Sequence, residues 1–175
     1  MRANMPPKPP AKLSQFSQIA QLACTQHDHS DCIDSALEKA KHLCQQKKAR
    51  LTDTRENVLK LIWASHQPLG AYAIMDALRE RSQKSIAPPT VYRALDFLLE
   101  LGLIHRINSL NAYIGCLSPE SEHHSHFVIC RQCHIALEFE PDVVEHALTG
   151  VIASSGFKVE NQSLELIGLC PQCQQ

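Results

Sequence analysis

The sequence predicts an α+β chain: a basic N-terminal part of packed helices closed by a β-hairpin, then a small, acidic α/β unit. Apolar residues recur at helical spacing up to Gly102 and change to short β-like runs from Leu103. Charge divides at the same point. Residues 1–102 hold 14 Lys/Arg against 10 Asp/Glu, a net +4, and residues 103–175 hold 3 against 8, a net −5. The second part also carries two C-x-x-C pairs, Cys130-Arg131-Gln132-Cys133 and Cys170-Pro171-Gln172-Cys173.

In the N-terminal extension over 1–32, a Pro-rich lead precedes Leu13, Phe16, Ala20 and Ala23 at helical spacing, which predicts a short amphipathic helix in a mobile arm. Ile33, Ala36, Leu37, Ala40, Leu43 and Cys44 form a stronger stripe, with Asp31 as its helix cap and Cys44 as a core thiol. The next helix starts at Leu51-Thr52-Asp53, where Thr52 or Asp53 accepts free amide hydrogens and Asp53 and Glu56 suit the positive helix end. Val58, Leu59, Ile62 and Trp63 give its buried face. After a turn at 66–70 a third helix covers 71–81, burying Ile74, Ala77 and Leu78 and presenting Tyr72, Asp76 and Arg79 outward.

Ala87-Pro88-Pro89 opens a fourth helix, Thr90 to about Leu101, because proline fits a first helical turn. Val91, Ala94, Leu95, Leu98 and Leu99 face inward, and Gly102 ends it. Runs 103–109 and 112–117, joined by Leu110-Asn111, read as a hairpin. Three packed helices and a hairpin make a winged helix over 33–118. The remainder, 119–175, reads as strand 126–130, strand 135–140, helix 142–154 opened by Pro141, and strands within 157–169.

At 175 residues with 44% hydrophobic and 5% aromatic composition, the chain suits one or two small globular domains and excludes a disordered tail or a collagen-like rod. No window approaches the roughly 18 consecutive apolar residues of a membrane span, and residues 1–12 lack the apolar run of a secretory signal. A soluble cytoplasmic protein without a membrane partner is expected. Eight Cys and ten His in a reducing compartment point to metal rather than to disulfides. The basic part suggests a polyanion partner, the acidic part a cation site.

Each C-x-x-C places two thiolates on one tight turn, at two corners of a tetrahedron with Zn–S bonds of about 2.3 Å. Two such turns, separated by 36 residues, close a four-cysteine shell around a structural zinc. A redox dithiol needs one pair; the second pair is what zinc needs. The ion fixes strand 126–130 to the C-terminus and stabilises a unit too small to hold itself together well.

A second, mixed set comprises His105, Cys116, His123, His124, His126 and Glu138. A Cys/His/carboxylate shell is borderline-soft and suits Zn2+ better than Mg2+ or Ca2+, but spacing alone does not select four ligands from six. A metal bridging residues 105 and 123 would tie the winged helix to the acidic unit and set their relative angle. A third group, Cys24, His27, His29 and Cys32, has the form C-x2-H-x-H-x2-C. It reads as a polar connector capping the following helix, with Asp28, Ser30 and Asp31 as local acceptors, in preference to a third metal site.

A winged helix reads sequence by laying its last helix in the major groove, and here the start of that helix offers Thr90, Tyr92 and Arg93. Arg93 can make a bidentate contact to guanine, giving about 1–3 kcal/mol of discrimination, and Tyr92 can meet a thymine methyl or a phosphate. Lys47, Lys48, Arg50, Arg55 and Lys60 are available as phosphate partners or form an ordinary solvated face.

The string Pro88-Pro89-Thr90-Val91-Tyr92-Arg93-Ala94-Leu95-Asp96-Phe97-Leu98 strongly resembles the recognition-helix motif of the ferric uptake regulator superfamily. Leu51-Thr52, the block from His123 to Cys133 and the terminal C-x-x-C extend the resemblance from about Ser35 to Cys173, and it is greatest to the zinc uptake regulators. The resemblance implies two Zn2+ per chain: a structural ion on Cys130, Cys133, Cys170 and Cys173, and a regulatory one on His105, Cys116, His123 and Glu138. It adds Tyr72 to Thr90, Tyr92 and Arg93 as DNA contacts. It further implies a winged-helix DNA-binding domain over 33–118 and a dimerisation and metal-binding domain over 119–175. The expected function is a homodimeric, zinc-responsive repressor of zinc-uptake genes on palindromic double-stranded operator DNA, with no catalytic residues and no small-molecule substrate.

Cys116 separates the zinc branch from iron and peroxide sensors, whose sensory shells are dominated by His and carboxylates. The sequence departs from the family pattern at Asp53, where Pro often follows Leu-Thr, and at His134, where Gly usually follows the first knuckle. It also lacks the longer histidine run of iron sensors, which favours zinc. The rival readings are an iron- or peroxide-sensing member of the same superfamily, a zinc hydrolase with Glu138 as base, and a binding module in which both metals are merely structural. For the hydrolase, neither an H-E-x-x-H nor a deaminase signature is present.

Overall fold

Helical periodicity becomes four packed helices before the first long hairpin in a computed structural model of the chain, which describes residues 28–65, 67–81, 86–120, 125–139, 142–159 and 162–174. In order these are α1 (Ser30–Gln46), α2 (Asp53–Trp63), β1 (Leu69–Gly70), α3 (Ala71–Arg81), α4 (Pro88–Glu100), β2 (Ile104–Ile107) and β3 (Ala112–Gly115). There follow β4 (His126–Cys130), β5 (Ala136–Phe139), α5 (Asp142–Ser155), β6 (Leu164–Gly168) and a closing 3-10 turn, Pro171–Gln174. The helix expected over 13–23 lies outside the described residues, as do Cys24 and His27.

The apolar stripes of α1 to α4 meet in one core. Ala40, Val58, Ile74, Val91 and Leu95 are fully buried there, and Cys44 joins them as the core thiol expected of it, with burial pushing its pKa up. Pro88 and Pro89 occupy the first turn of α4, and Gly102 follows it at φ 70°, the left-handed stop that glycine takes without strain.

Several local expectations need correction. Helix α1 begins at Ser30, so residues 30–32 of the expected extension are helical, and Asp31 sits in the first turn instead of capping it. Asp28 takes the local role, its Oδ1 accepting the Ser30 N–H at 2.9 Å. On α3 the buried residues are Ile74, Met75 and Leu78, with Ala77 only half-buried, because the longer Met75 side chain reaches the core beside Ile74. The turn read at 66–70 contains β1, which pairs with β3 through Leu69↔Tyr113 and Gly70↔Ala112 and completes a sheet of order β1-β3-β2. The hairpin strands are shorter than 103–109 and 112–117, because a turn with the Asn111 N–H bonded to the Asn108 carbonyl (3.2 Å) takes the middle residues; Asn111 has φ 47°, a conformation Asn tolerates.

Gly115, at the end of β3, has a packing role. A Cβ built there would lie 2.2–2.6 Å from the Trp63 indole, which is half-buried against the strand. Gly115→Ala is therefore expected to overpack this contact and cost about 1–3 kcal/mol, read as a lower urea midpoint at unchanged slope.

The second sheet has order β5-β4-β6, with β4 antiparallel to β5 and parallel to β6. Central strand β4, which coincides with the run expected at 126–130, is buried on both faces and so carries a continuous apolar run. Its Phe127 and Ile129 join Ala136 and the hairpin residues Ile107 and Ile114 in a second small core. This apolar contact fastens the hairpin to the second sheet and so brings His105 and Cys116 toward one end of β4, while the first Cys knuckle follows its other end.

Candidate metal centres and DNA-reading face

The first knuckle follows β4 directly and the second lies in the turn after β6, so the parallel pairing of β4 with β6 (Cys130↔Gly168) brings them together. The four sulfurs of Cys130, Cys133, Cys170 and Cys173 lie within 4.8 Å of one another, and the Cys133 and Cys170 sulfurs are 3.7 Å apart. A tetrahedral site with Zn–S bonds of about 2.3 Å has S···S edges of about 3.8 Å, so the donor set fits zinc in number, chemistry and size.

Backbone amides favour the thiolate at Cys130 and Cys170, whereas burial raises the Cys133 thiol. The Cys170 N–H donates to Cys130 Sγ at 3.4 Å. Burial raises the Cys130 pKa, but the amides of Cys133, Cys170 and Gln132 outweigh it and bring that pKa to about 6. Cys170 is likewise lowered, while Cys173, which donates to the Cys170 sulfur, is pushed up to about 12. His134 sits at φ 59°, which explains why glycine is the usual residue after such a knuckle.

The mixed cluster assembles at the other end of β4. His105 comes from β2, Cys116 follows β3 and Glu138 lies on β5, and their ligand atoms are within 4.8 Å of one another. His105 Nε2 is 2.8 Å from Glu138 Oε1, and the Leu117 N–H donates to Glu138 Oε2 at 3.2 Å. Cys116 is buried and the Glu138 side chain only 5% exposed, so this is a nearly closed N, S, O donor set. Nitrogen, thiolate and carboxylate suit zinc and leave one tetrahedral position for a fourth ligand. Of the residues named from sequence, His105, Cys116 and Glu138 come together; His123 and His124 lie outside the described residues. His126 is fully buried against the Phe139 ring (5.7 Å), whereas the next residue, Phe127, faces the His105 ring, so strand alternation turns His126 away from the cluster.

On α4, Thr90, Tyr92 and Arg93 are exposed while Val91 and Ala94 between them are buried. Tyr92, 41% exposed, stands out from the core, and Tyr72, at the second position of α3, is 76% exposed. Two of the basic residues considered for phosphate are otherwise engaged. The Arg55 guanidinium lies 3.4 Å from the Phe97 ring centroid and donates to the Arg50 carbonyl, and Lys60 pairs with Glu56 at 2.6 Å.

Sequence reasoning missed two polar partners. Ser125 Oγ lies 2.9 Å from His105 Nδ1, so it can orient that ring; a serine beside a histidine run gives no signal of this. Glu165 reaches the hairpin turn, and its isolation as the one charge in the apolar run Leu164–Gly168 was the available sign.

Residues 46–167 match the Ferric uptake regulator family. The zinc uptake regulation protein of Escherichia coli (strain K12) is 38% identical over 138 residues, 78% of this chain and 80% of that protein. A zinc uptake regulator solved in complex with zinc and DNA superposes with a TM-score of 0.77 at 36% identity, covering 81% of this chain and 95% of the other. Holo XcZur gives 0.73 at 40% identity (80% and 97% covered), and apo XcZur 0.50 at 38% identity (83% and 99% covered), so the parts of this chain are arranged more nearly as in the holo form. With the matched span taking in helices α2 to α4, the hairpin and the first Cys knuckle, the chain belongs to the ferric uptake regulator family, on its zinc uptake regulator branch.

Proposed function

We propose that the chain is a zinc-responsive transcriptional repressor which, when zinc-loaded, binds palindromic operator DNA as a homodimer and represses zinc-uptake genes. The observation that carries this reading is the His105, Cys116 and Glu138 cluster, because its donors come from both sides of the junction between hairpin and second sheet. The relatives named for zinc uptake regulation, one of them solved with zinc and DNA, support the same reading.

Two zinc ions per chain fit the two donor sets. Cys130, Cys133, Cys170 and Cys173 would hold a structural zinc, and His105, Cys116 and Glu138 with His123 would hold a regulatory one, whose positive charge would favour closure of the hairpin on the second sheet. The chain's own residues do the rest: His105 and Cys116 fix the hairpin side, Glu138 the sheet side, and the helical part is held at one angle. A ligand that favours that angle raises operator affinity only by its differential binding to it. Residues 33–118 read the DNA, 119–175 hold the dimer and the metals, and the extension over 1–32 takes part in neither. Val151, Phe157, Val159, Leu166 and Ile167 are exposed, and β6 is an edge strand, which supports a homodimer through this face.

No helix among the described residues is long and apolar enough to cross a membrane. The seven described cysteines are thiols rather than disulfides, in keeping with work in the reducing cytoplasm. The thiol of Cys116 favours zinc over iron in the mixed site, and a regulator over an enzyme is favoured by the carboxylate of Glu138 being held by His105 and Leu117. Operator-binding titrations at buffered free Zn2+, Fe2+ and Mn2+ test the function. Binding switched on by Zn2+ at the lowest free concentration is expected; a response to Fe2+ alone, or none, would overturn it.

Arg93 supplies the base reading, with Thr90, Tyr92 and Tyr72 as further DNA contacts. Its side chain is exposed one turn into α4, clear of the buried stripe. Arg93→Ala is expected to relax preference at one base pair per half-site, costing about 1–3 kcal/mol there, with zinc content unchanged. Equal binding of matched and mismatched operators by parent and variant removes Arg93 from this role.

A further inference from the structure

Glu165 projects from β6 onto the turn of the β2–β3 hairpin, 56 residues back along the chain at Ser109. Its Oε1 accepts the Asn108 N–H at 2.7 Å and its Oε2 accepts the Ser109 N–H at 3.0 Å. Two successive amides aimed at the two oxygens of one carboxylate are a charge-assisted pair with fixed geometry, stronger than the same bonds to a neutral acceptor. Partial burial raises the Glu165 pKa, but the Ser109 hydroxyl and the two amides outweigh it and hold the carboxyl below its usual range. The contact closes the polar edge of the small core in which Ile107 and Ile114 meet Phe127 and Ile129. It also places a negative charge over the hairpin turn, the part of a winged helix that otherwise can approach phosphates.

We propose that Glu165 is a positioning residue: its carboxylate clasps the hairpin turn and biases the helical part toward the angle that meets DNA, so that less zinc is needed to complete the switch. This rests on the zinc-responsive reading above. The mixed site joins the same two parts with a metal; the clasp joins them without one. The ligand concentration needed to fill a competent state rises as the population of that state falls. Loss of the clasp therefore moves the zinc response while leaving the fully zinc-loaded protein close to its normal operator affinity.

The test uses the full-length dimer. Operator binding is followed against buffered free Zn2+ for the parent, Glu165→Gln, Glu165→Ala and Ser109→Pro, with zinc content and sedimentation measured on each. Glu165→Gln keeps the size but sets an NH2 group against one amide donor, and Ser109→Pro removes one donor from the opposite side. Each is expected to raise the zinc midpoint about five- to tenfold, within the usual span of allosteric coupling, with affinity at saturating zinc, zinc content and dimerisation unchanged. The Glu165→Gln/Ser109→Pro double variant is expected to shift no further than the larger single, because both break one contact. A zinc midpoint equal to the parent's, or an equal loss at every zinc concentration, overturns the proposal. If the parent itself shows no zinc response, the functional reading fails instead, and small-angle scattering still decides the clasp: a wider Glu165→Ala particle supports it and an unchanged one rejects it.

Discussion

Cys130→Ser is expected to yield a chain that has lost one tightly held zinc, melts well below the parent and no longer forms a stable dimer. Closed four-cysteine shells contribute folding free energy outright, on the order of 10 kcal/mol in small zinc domains, and a hydroxyl does not replace a thiolate ligand. The position of Cys130 makes its loss the most severe of the four. It ends the central strand β4, is buried to 3% exposure, and accepts the Cys170 amide, so its sulfur organises the second knuckle even before an ion is considered. The neighbouring Arg131 N–H bonds to the Gly168 carbonyl at 2.9 Å, which ties the same knuckle to β6, the strand carrying the exposed Leu166 and Ile167. A loosened knuckle therefore loosens the apolar edge assigned to the partner chain. Cys173, in the terminal turn, has a lighter structural burden, and Cys173→Ser should lose the zinc with a smaller drop in melting temperature. Metal analysis, calorimetry and sedimentation read the three effects separately. Full zinc content with an intact dimer in Cys130→Ser would show that the knuckles are not the site.

Legibility in the sequence followed the range of the interactions. Stripes such as Val91, Ala94, Leu95 and Leu98 report their own helix because the period is local, and the C-x-x-C pairs report a shared site because their chemistry demands a partner. The strand at 126–130 was readable from its continuous apolar run. Strand β1 was not: two residues, Leu69 and Gly70, hold no period, and only pairing with Tyr113 and Ala112 makes them a strand. The start of α1 shifted because Asp28, not Asp31, engages the first free amide. For the mixed site, composition gave six candidates. Strand alternation, which turns Phe127 toward His105 and His126 away, is what separates His126 from the cluster, and register is a property of pairing across the sheet. The Glu165 contact was legible on one side only: a lone charge in an apolar strand marks the acid, but the two backbone amides it meets carry no sequence signature.

Cys116→Ser is expected to leave the structural zinc of the two knuckles in place and to raise the free zinc required for operator binding by about 100-fold or more, since even outer-shell changes at metal sites cost 10–100-fold in affinity. The substitution is nearly isosteric, and the Cys116 N–H remains bonded to the Leu103 carbonyl at 3.1 Å, so the strand end and the Trp63–Gly115 packing beside it should persist. What changes is the donor. His105 and Glu138 stay 2.8 Å apart, but without the thiolate they and the proposed His123 form a harder, three-donor remnant with lower preference for zinc over competing cations. Linkage adds a second, independent reading: if zinc tightens operator binding by some factor, operator DNA must tighten zinc binding at this site by the same factor. In the parent, adding operator should lower the zinc midpoint of the mixed site and leave that of the four-cysteine site unmoved. In Cys116→Ser the operator-induced shift should be found only at the higher zinc concentrations where the weakened site fills. A zinc response identical to the parent's would reject Cys116 as a ligand, and loss of the structural zinc as well would show that the two centres are not separable.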